Sequence, residues 1–491
     1  MKFFNDLLHI GNQLIGAASS SNDCCNALSK ELGAERVARL LSTSYAAQSF
    51  SYWSQQEQQV RPTCRVTPTS SEHVSTAVKI LSTGKCQFAI RGGGHMSFAG
   101  AANVEGGVTI DMSSMKSLTL NPEKTVASVG AGAKWGDIYP QLDALELAIM
   151  GGRVASVGVG GLTVGGGLSY FSPRYGYVAD SVENFEVVLA NGEIVNANRN
   201  DRPDLYLALR GGGNNFAVVT RFDFKTFKQG KLWGGFIYYP ESTAAQQFKA
   251  VETFTNASNK DPYASLITSL VYVGLIKSYQ VANNLVYTKP EEYPAIFKPF
   301  ADIKPQTIKT VGIRSLTSLA KEIAFITPAG MRQLFATVTF GNDAALFAAI
   351  YEIEKKAYDP VRGSLGFQVS FSLEPVPTII HEKSADNPNI LGLDASDGNT
   401  VWLCMTIAWS LKKDDDAITA ATTTFINDAT KYAKERNLFN DYIYVNYALQ
   451  SQDPYQSYGS ENHARLKSIS EIYDPDRVFQ KLVPGGFKLE R

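Results

Sequence analysis

The sequence lacks the features typical of several large classes of protein. No stretch approaches 18 uncharged apolar residues, so we predict no membrane-spanning helix. The 46 Lys and Arg residues and the 47 Asp and Glu residues nearly cancel, which argues against a nucleic-acid partner, because such proteins carry a basic excess. The chain has no Cys-x-x-Cys pair, and its five histidines form no metal-binding motif. We therefore expect no zinc or other metal site.

The few cysteines leave the redox compartment open. Cys24 or Cys25 could form a disulfide with Cys64 in an oxidising compartment, or the thiols could be reduced and buried. The sequence separation alone does not decide between these states.

The N-terminal segment, residues 1–55, is predicted to be helical. Its stretch FFNDLLHIGNQLIGAASS ends in small residues, as a signal peptide does, but polar residues interrupt it, and an amphipathic helix of the mature protein fits as well. The sequon Asn256-Ala-Ser258 is consistent with secretion. The balance favours the secretory pathway over the cytoplasm, and whether the N-terminus is cleaved stays open.

From about residue 60, short apolar runs alternate with turns and with helical patterns, which predicts a mixed α+β fold. Asn191-Gly192 lies between two such runs and predicts a hairpin. Around Phe227 the glycine density falls, and longer helices and strands follow to about residue 435. The length is typical of two or three domains.

Four glycine clusters occur within one part of the chain, at residues 91–100, 129–136, 151–167 and 210–218. Glycine lets backbone amides approach and converge on an anion such as a nucleotide pyrophosphate, although a single cluster would more often be a tight turn. Neither a complete GxGxxG fingerprint nor a P-loop is present. The four clusters together favour nucleotide binding by another arrangement.

Several motifs in this part of the chain occur together in a known family. They are RGGGH at 91–95, the strand GVTID ending at Asp111, VGAGAKWGDIY, GVGGLTVGGGLSY, DSVENFEVVLANGEI and RGGGNNFAVVTRF, with YVNYALQ, YG-x-x-N-x-x-RL and YDP-x-x-VF in the tail. The chain resembles the vanillyl-alcohol-oxidase superfamily in its berberine-bridge-enzyme-like branch. It is especially similar to fungal FAD-linked oxidases of secondary metabolism.

The resemblance implies an α+β fold in which a two-part PCMH-type FAD-binding domain contains an inserted substrate domain. An antiparallel sheet backed by helices would cover the flavin ring as a roof. The implied divisions are an N-terminal segment 1–55, an FAD-binding part 56–235, a substrate domain 236–438 and a completing tail 439–491.

The resemblance also implies FAD contacts at a set of positions in the glycine clusters and the tail. These are Arg91, Gly92, Gly93, Gly94, His95, Met96, Ser97, Gly100, Gly132, Val157, Gly158, Gly160, Gly161, Leu162, Gly165, Gly166, Gly167, Leu168, Asp180, Val182, Asn215, Phe216, Val218 and Asn462. By itself His95 could be a turn residue or a buried core imidazole. In the family, the histidine of RGGGH is bonded to the flavin 8α-methyl carbon.

The sequence departs from the family at two positions. Many members carry a second flavin link through a cysteine, and Val154 stands at that position here. We therefore expect a single attachment through His95 and a substrate less sugar-like than those of doubly linked members. His463 replaces a common tyrosine, and its role stays open.

Oxidation of an alcohol by a flavin needs a proton acceptor near the substrate hydroxyl. The first candidate is Tyr447, and Tyr444 is the second, although both could be packing residues. A phenol has an ordinary pKa of about 10, so it needs a nearby cation or hydrogen-bond network to act as a base. Glu374 lies in the apolar run SFSLEPVP, either at a sheet edge or facing a cavity as an alternative base.

The substrate and the electron acceptor remain the least defined. Trp409 and Phe371 are either roof aromatics over a flat substrate or core residues. In the family, the residue at the position of Val157 lies beside the flavin ring, and a valine there leaves room for O2, which favours an oxidase that releases H2O2. A valine chosen only for its β-branching would look the same. The alternatives are a flavin dehydrogenase with another acceptor, a flavoprotein cyclase with or without a prior oxidation, and a binding protein with a vestigial site. The oligomeric state is not indicated.

Overall fold

The structure is a computed structural model that describes residues 20–385 and 387–490. The stretch that resembles a signal peptide lies, up to residue 19, outside the described residues. The α-helices are α1 (20–32), α2 (Thr43–Phe50), α3 (Gln55–Gln59), α4 (Ser71–Thr83), α5 (Trp135–Asp143), α6 (Val159–Val164), α7 (Ser172–Tyr175), α8 (Pro203–Leu209), α9 (Ala244–Ser258), α10 (Lys298–Ala301), α11 (Leu316–Ile326), α12 (Ala344–Tyr358), α13 (Thr378–Ser384), α14 (Asp415–Lys434), α15 (Ser460–Tyr473) and α16 (Val478–Lys481). The strands are β1 (Val37–Arg39), β2 (Cys64–Val66), β3 (Phe88–Arg91), β4 (Val108–Asp111), β5 (Leu118–Leu120), β6 (Val126–Gly130), β7 (Leu147–Ile149), β8 (Val182–Val188), β9 (Ile194–Asn198), β10 (Val218–Lys228), β11 (Leu232–Pro240), β12 (Ala264–Val273), β13 (Ser278–Tyr287), β14 (Gly312–Arg314), β15 (Arg332–Gly341), β16 (Gln368–Val376), β17 (Thr400–Trp409) and β18 (Phe439–Asn440).

The strands form three sheets, so the predicted α+β class is confirmed. The first sheet has the order β1-β2-β4-β3, and β4 is parallel to both of its neighbours. The second has the order β5-β6-β10-β8-β9, with β7 pairing β10. The third is antiparallel with the order β14-β11-β13-β12-β16-β17-β15-β18. The third sheet is called the roof sheet below.

Two disulfides fasten the N-terminal helix α1 to the first sheet. Cys25 bonds to Cys64 at the start of β2, and Cys24 bonds to Cys86 just before β3. The first of these bonds is one of the two pairings that the sequence left open. The second joins residues 62 apart, and no sequence pattern indicated it. The segment predicted to be helical also contains one short strand, β1, which pairs with β2.

The roof sheet has one apolar and one polar face. On one face, Leu270, Phe371 and Met405 are fully buried in a core that includes residues of α9, α12 and α14. Side chains alternate along a strand, so their neighbours Ser370 and Ser372 point the other way, toward the glycine-rich half of the chain. That face carries the site described below.

The C-terminal tail returns to the first sheet. The Phe88 amide donates to the carbonyl of Leu482, and the Phe88 ring packs edge-on against Phe479. β18 pairs with β15 at the margin of the roof sheet. The tail thus contacts both halves of the molecule, while the domain boundaries given above remain a prediction. The predicted hairpin at Asn191-Gly192 is confirmed, since β8 and β9 pair across it.

Candidate functional site

Three of the four glycine clusters meet backbone to backbone. A Cβ atom on Gly93 would overlap the backbone of Gly158, and one on Gly158 would overlap that of Gly93. A Cβ on Gly92 would lie 3.5 Å from the Ala131 carbonyl oxygen and 3.9 Å from the Gly161 amide nitrogen. We call residues 92–94, 131–132 and 158–161 the glycine cradle. With no side chains between these loops, their amides can approach a pyrophosphate, and the cradle therefore fits FAD.

Other glycines of the predicted set have close partners too. A Cβ atom on Gly132 would overlap the Met112 carbonyl oxygen, and a Cβ atom on Gly160 would lie 2.9 Å from the Ala131 carbonyl oxygen. The remaining glycines of the long loop pack against side chains from other segments: Gly165 against Asn446, Gly166 against Leu391, and Gly167 against Leu162 and Val178. Their lack of side chains serves close packing around the end of α6.

The fourth glycine cluster lies against the tail. The fully buried Asn215 side chain donates to the carbonyls of Gly212 and Phe487. Phe216 and Val218 are buried in the core beside it. The structure therefore gives Asn215 tail partners and does not bring its side chain to the cradle.

Two residues near the first cluster have structural partners. The Arg91 guanidinium donates to Asp111 at 2.8 Å and to the Ser51 hydroxyl at 2.7 Å, so its terminal nitrogens have protein partners. The Gly100 amide donates to the buried carboxyl of Glu57 at 3.1 Å. Met96 is half-buried against the core and Ser97 is buried.

The predicted contacts farther along the chain also have protein partners. The side chain of Asp180 is buried and accepts hydrogen bonds from Ser384 and Asn389 at 2.6 and 2.8 Å, and this burial raises the pKa of its carboxyl. Val182 is buried. Asn462, in the first turn of α15, donates to the carbonyl of Tyr458, which precedes that helix.

His463, which departs from the family pattern, lies 2.9 Å from the Leu489 carbonyl oxygen through Nε2. The structure thus gives this residue a tethering contact to the C-terminal end of the chain.

His95 lies between an indole ring and a hydroxyl. Its Nε2 atom is 3.1 Å from the Ser156 Oγ atom. The Trp53 ring stacks on the imidazole with centroids 4.4 Å apart, and its other neighbour is Phe335 of β15 at 5.3 Å. Burial, and next the nearby Lys134 ammonium, lower the pKa of His95 to about 3, although its own backbone raises it slightly. The imidazole is therefore neutral and nucleophilic at physiological pH.

Three residues from distant segments form one hydrogen-bonded group beside the cradle. Arg153 Nη2 lies 2.7 Å from the Glu374 carboxylate and 2.6 Å from the Tyr447 hydroxyl. The Tyr447 hydroxyl is also 3.2 Å from both Glu374 oxygens. Arg153 and Glu374 are buried, whereas Tyr447 is half-buried. We call these residues the Arg153 trio.

The charges within the trio act in opposite directions on Tyr447. Burial raises the pKa of its phenol well above 10, the Arg153 cation lowers it, and Glu374 raises it again. Burial lowers the pKa of Arg153, but Glu374 and Tyr447 raise it more, so the guanidinium stays charged. The phenol thus starts protonated and is hydrogen-bonded to a carboxylate that can receive its proton.

Tyr444, the second candidate base, has a different environment. It is buried, and its oxygen accepts hydrogen bonds from the Leu168 amide and from Asn446. Its ring contacts Tyr447 edge-on with centroids 4.7 Å apart. Tyr444 therefore holds the tail against the loop after α6 and orients Tyr447.

The roof above the trio carries a row of hydroxyl groups. Ser269 and Ser370 each lie 2.8 Å from Ser372 between their Oγ atoms. Thr406, Ser269 and Ser370 are half-buried although they belong to inner strands of the sheet. Partial exposure at the middle of a sheet indicates a cleft between the roof and the glycine-rich half.

Two expected roof aromatics lie on the opposite face. Phe371 and Trp409 are buried in the core on the helix side of the sheet, where the Trp409 indole donates to Asp415. Period-two alternation places them there. Phe335, Tyr447 and Tyr238 are the half-buried rings on the cleft side.

Arg153, Ser156 and Trp53 were not among the predicted site residues. Arg153 and Ser156 lie in the loop GGRVASVG, where a charged residue among glycines was an available signal. Trp53 precedes the first glycine cluster by about forty positions, and no local pattern indicated it. Within residues 20–385 and 387–490, no group of three or more His, Cys, Asp or Glu side chains could hold a metal ion. In the same part of the chain, no helix is both long and apolar enough to cross a bilayer.

Comparison with known sequences gives close relatives over nearly the whole chain. The profile of the FAD binding domain family matches residues 62–198. The chain is 36% identical to the FAD-dependent monooxygenase FUP4 of Fusarium proliferatum, over 97% of this chain and 96% of that protein. It is 37% identical to the FAD-dependent monooxygenase CTB5 of Cercospora beticola, over 96% and 93%.

Solved structures share the fold at lower identity. A berberine-bridge-enzyme-like protein of Physcomitrella patens superposes with a TM-score of 0.73 at 21% identity, covering 93% of this chain and 97% of that one. The glucooligosaccharide oxidase of Acremonium strictum, described with 6-S-cysteinyl, 8α-N1-histidyl FAD, gives 0.73 at 19%, covering 93% and 98%.

Proposed function

The chain belongs to the berberine-bridge-enzyme-like FAD-dependent oxidoreductases of fungal secondary metabolism, and from this premise we propose that it is an oxidase of a small organic alcohol. FAD in the glycine cradle would accept a hydride from the substrate carbon and pass the two electrons to O2, which yields H2O2. The residues of the cleft would hold the substrate and remove its hydroxyl proton.

The Arg153 trio carries this proposal. Tyr447 is the one member of the trio that is not fully buried, and we assign its hydroxyl as the group that meets the substrate hydroxyl. As the hydride leaves, the phenol oxygen accepts the substrate proton and donates its own proton to Glu374. Arg153 stabilises whichever oxygen is negative, because its Nη2 lies within 2.7 Å of both acceptors.

We further propose that FAD is held covalently, through His95 alone. The neutral imidazole and the absence of a cysteine at Val154 support a single link. The relative from Acremonium strictum is described with both a cysteinyl and a histidyl link. Our proposal therefore keeps the histidyl link and lacks the cysteinyl link.

The roof hydroxyls support a substrate that carries several hydrogen-bonding oxygens on a flat body. Ser269, Ser370 and Thr406 offer donors and acceptors above the cleft, and the rings of Phe335 and Tyr238 offer apolar faces. Such a substrate would orient its reacting hydroxyl toward Tyr447.

The compartment that we propose is oxidising, as in the secretory pathway. Four of the five cysteines form two disulfides, and Cys404 is free and buried. Intact mass under denaturing conditions, after alkylation without a reductant, should show one blocked thiol. Five blocked thiols in protein from the native host would contradict the proposal.

The test of function is anaerobic bleaching of the flavin by a panel of hydroxylated aromatic metabolites, followed by admission of air. Bleaching that air reverses with release of H2O2 supports the oxidase. Bleaching that air does not reverse favours a dehydrogenase with another acceptor. Conversion of a substrate without bleaching would instead favour the cyclase.

A further inference from the structure

The His95 ring has a side-chain partner at Nε2 and an aromatic partner on its flat face. Nε2 is 3.1 Å from the Ser156 hydroxyl, and the indole of Trp53 covers the flat face of the ring. A neutral imidazole has one N–H and one lone pair, and the partner of one nitrogen decides which tautomer is present. We propose that the Ser156 oxygen accepts a hydrogen bond from Nε2–H and thereby leaves the lone pair on Nδ1, which makes Ser156 the positioning residue for flavin attachment.

The position of Ser156 in the chain supports this role. It lies two residues before Gly158, whose backbone contacts Gly93 in the cradle. The loop that would hold the cofactor therefore also carries the hydroxyl that orients the histidine. Trp53 restricts rotation of the ring from the other side, since it is buried between His95 and Phe335.

The attachment step balances with O2 as the oxidant. A C–N bond forms between His95 Nδ1 and the 8α carbon of FAD, while one C–H bond of the methyl group and the Nε2–H bond of the imidazole break. The two electrons reduce the flavin, and O2 takes them up together with both protons as H2O2. Because the imidazole gains positive charge as Nδ1 attacks, the Ser156 hydroxyl stabilises it by accepting a hydrogen bond from Nε2–H. That proton is then released to solvent and is balanced by the protons that O2 takes up.

This inference rests on the proposed covalent link at His95, and one experiment separates the two. The full-length wild type, Ser156→Ala and Ser156→Thr are each incubated with added FAD in air, and samples are precipitated with acid over time. Flavin that stays with the pellet measures attachment, and FAD fluorescence quenching measures reversible binding. Thr255→Val, which removes a buried hydroxyl from α9, is the matched control.

We expect Ser156→Ala to attach FAD about tenfold to a hundredfold more slowly, in line with the loss of a hydrogen bond to a group that becomes charged. Reversible FAD affinity should change little, and Ser156→Thr should recover most of the rate. Thr255→Val should match the wild type. No conversion should occur without O2.

Three outcomes would overturn these claims. If the wild type itself releases all its FAD into the acid supernatant, the covalent link at His95 is wrong. If the wild type attaches FAD and Ser156→Ala does so at the same rate, the link stands and the role of Ser156 is wrong. An equal loss of reversible binding and of attachment in Ser156→Ala would reduce Ser156 to a structural residue.

Discussion

The molecule contains two groups built from the same residue types, an arginine, a carboxylate and a tyrosine. In the first, Arg91 and Asp111 are register partners at the ends of β3 and β4, and the Arg91 guanidinium lies 4.0 Å above the Tyr52 ring. The second is the Arg153 trio. Both groups have a buried Arg–carboxylate pair, with N–O distances of 2.8 and 2.7 Å.

The groups differ in what they join and in what they leave accessible. Arg91 and Asp111 are 20 positions apart within one sheet, and Tyr52 is fully buried, with its hydroxyl donating to the Ala102 carbonyl. Arg153 is 221 positions from Glu374 and 294 from Tyr447, and Tyr447 is only partly buried. Residue type alone therefore does not separate the two groups. The Arg153 trio differs in joining distant segments of the chain and in having one member that is not fully buried.

The largest expected effect is on chemistry at the Arg153 trio. Tyr447→Phe removes the proton acceptor, and loss of a positioned base costs about 10²–10⁴-fold in rate. Stopped-flow mixing with a substrate under anaerobic conditions would measure flavin reduction directly. Tyr52→Phe is the matched control, and its rate should stay within a few-fold of the wild type. A wild-type rate in Tyr447→Phe, with the loss appearing in Glu374→Gln instead, would move the base to the roof.

The next effect is on stability at the other group. Asp111→Ala leaves the Arg91 guanidinium buried without its partner, and breaking such a pair lowers the free energy of unfolding by about 3–5 kcal/mol. Thermal and denaturant unfolding of the holoprotein would measure it. Asp302→Ala, which breaks an exposed ion pair with Lys298, should cost less than about 1 kcal/mol. If Asp111→Ala lowers the free energy of unfolding only slightly but slows flavin reduction, the proposed difference between the two groups is wrong.

A third buried carboxyl, that of Glu57, differs from those of Asp111 and Glu374 because two backbone amides, rather than an arginine, donate hydrogen bonds to it. Glu57 accepts from Gly100 and Ala102, and burial raises its pKa from 4.5 to about 7, although those bonds lower it in part. The folded state therefore keeps a proton that the unfolded state releases, so stability should fall as pH rises from 4.5 to 7. The expected loss is about 3 kcal/mol. Glu57→Gln should flatten this part of the pH–stability curve, and an unchanged slope would assign it to other groups.

The smallest effect concerns reoxidation, which the Arg153 trio should not control. Val157 is half-buried beside the cradle glycines Gly93 and Gly158. Val157→Ile should slow the reaction of reduced flavin with O2 about fivefold, a barrier increase of about 1 kcal/mol, without slowing reduction by substrate. Mixing reduced enzyme with air-saturated buffer measures this rate. Slow reoxidation in the wild type itself would favour a dehydrogenase, whereas equal rates in both proteins would remove only the role of Val157.

Prediction from sequence succeeded where the signal was local or shared by a family. The glycine clusters, the Asn191-Gly192 hairpin and the strand ending at Asp111 were all readable from neighbouring residues. Tyr447 and Glu374 were selected as alternatives, and the structure brings them within 3.2 Å of each other. The sequence could not assign Phe371 and Trp409 to the core or to the cleft, because both environments favour aromatic residues.

The sequence by itself indicated the mixed fold through short-range periodicity and the nucleotide-binding loops through glycine spacing, and its resemblance to a family implied FAD as the cofactor. Only the tertiary structure decided that Cys24 pairs with Cys86, that Arg153 joins Glu374 to Tyr447, and that Ser156 and Trp53 enclose His95. The physical reason is that these contacts join residues tens to hundreds of positions apart. Their distances depend on how the roof sheet, the glycine loops and the tail pack together, which no local pattern in the chain records.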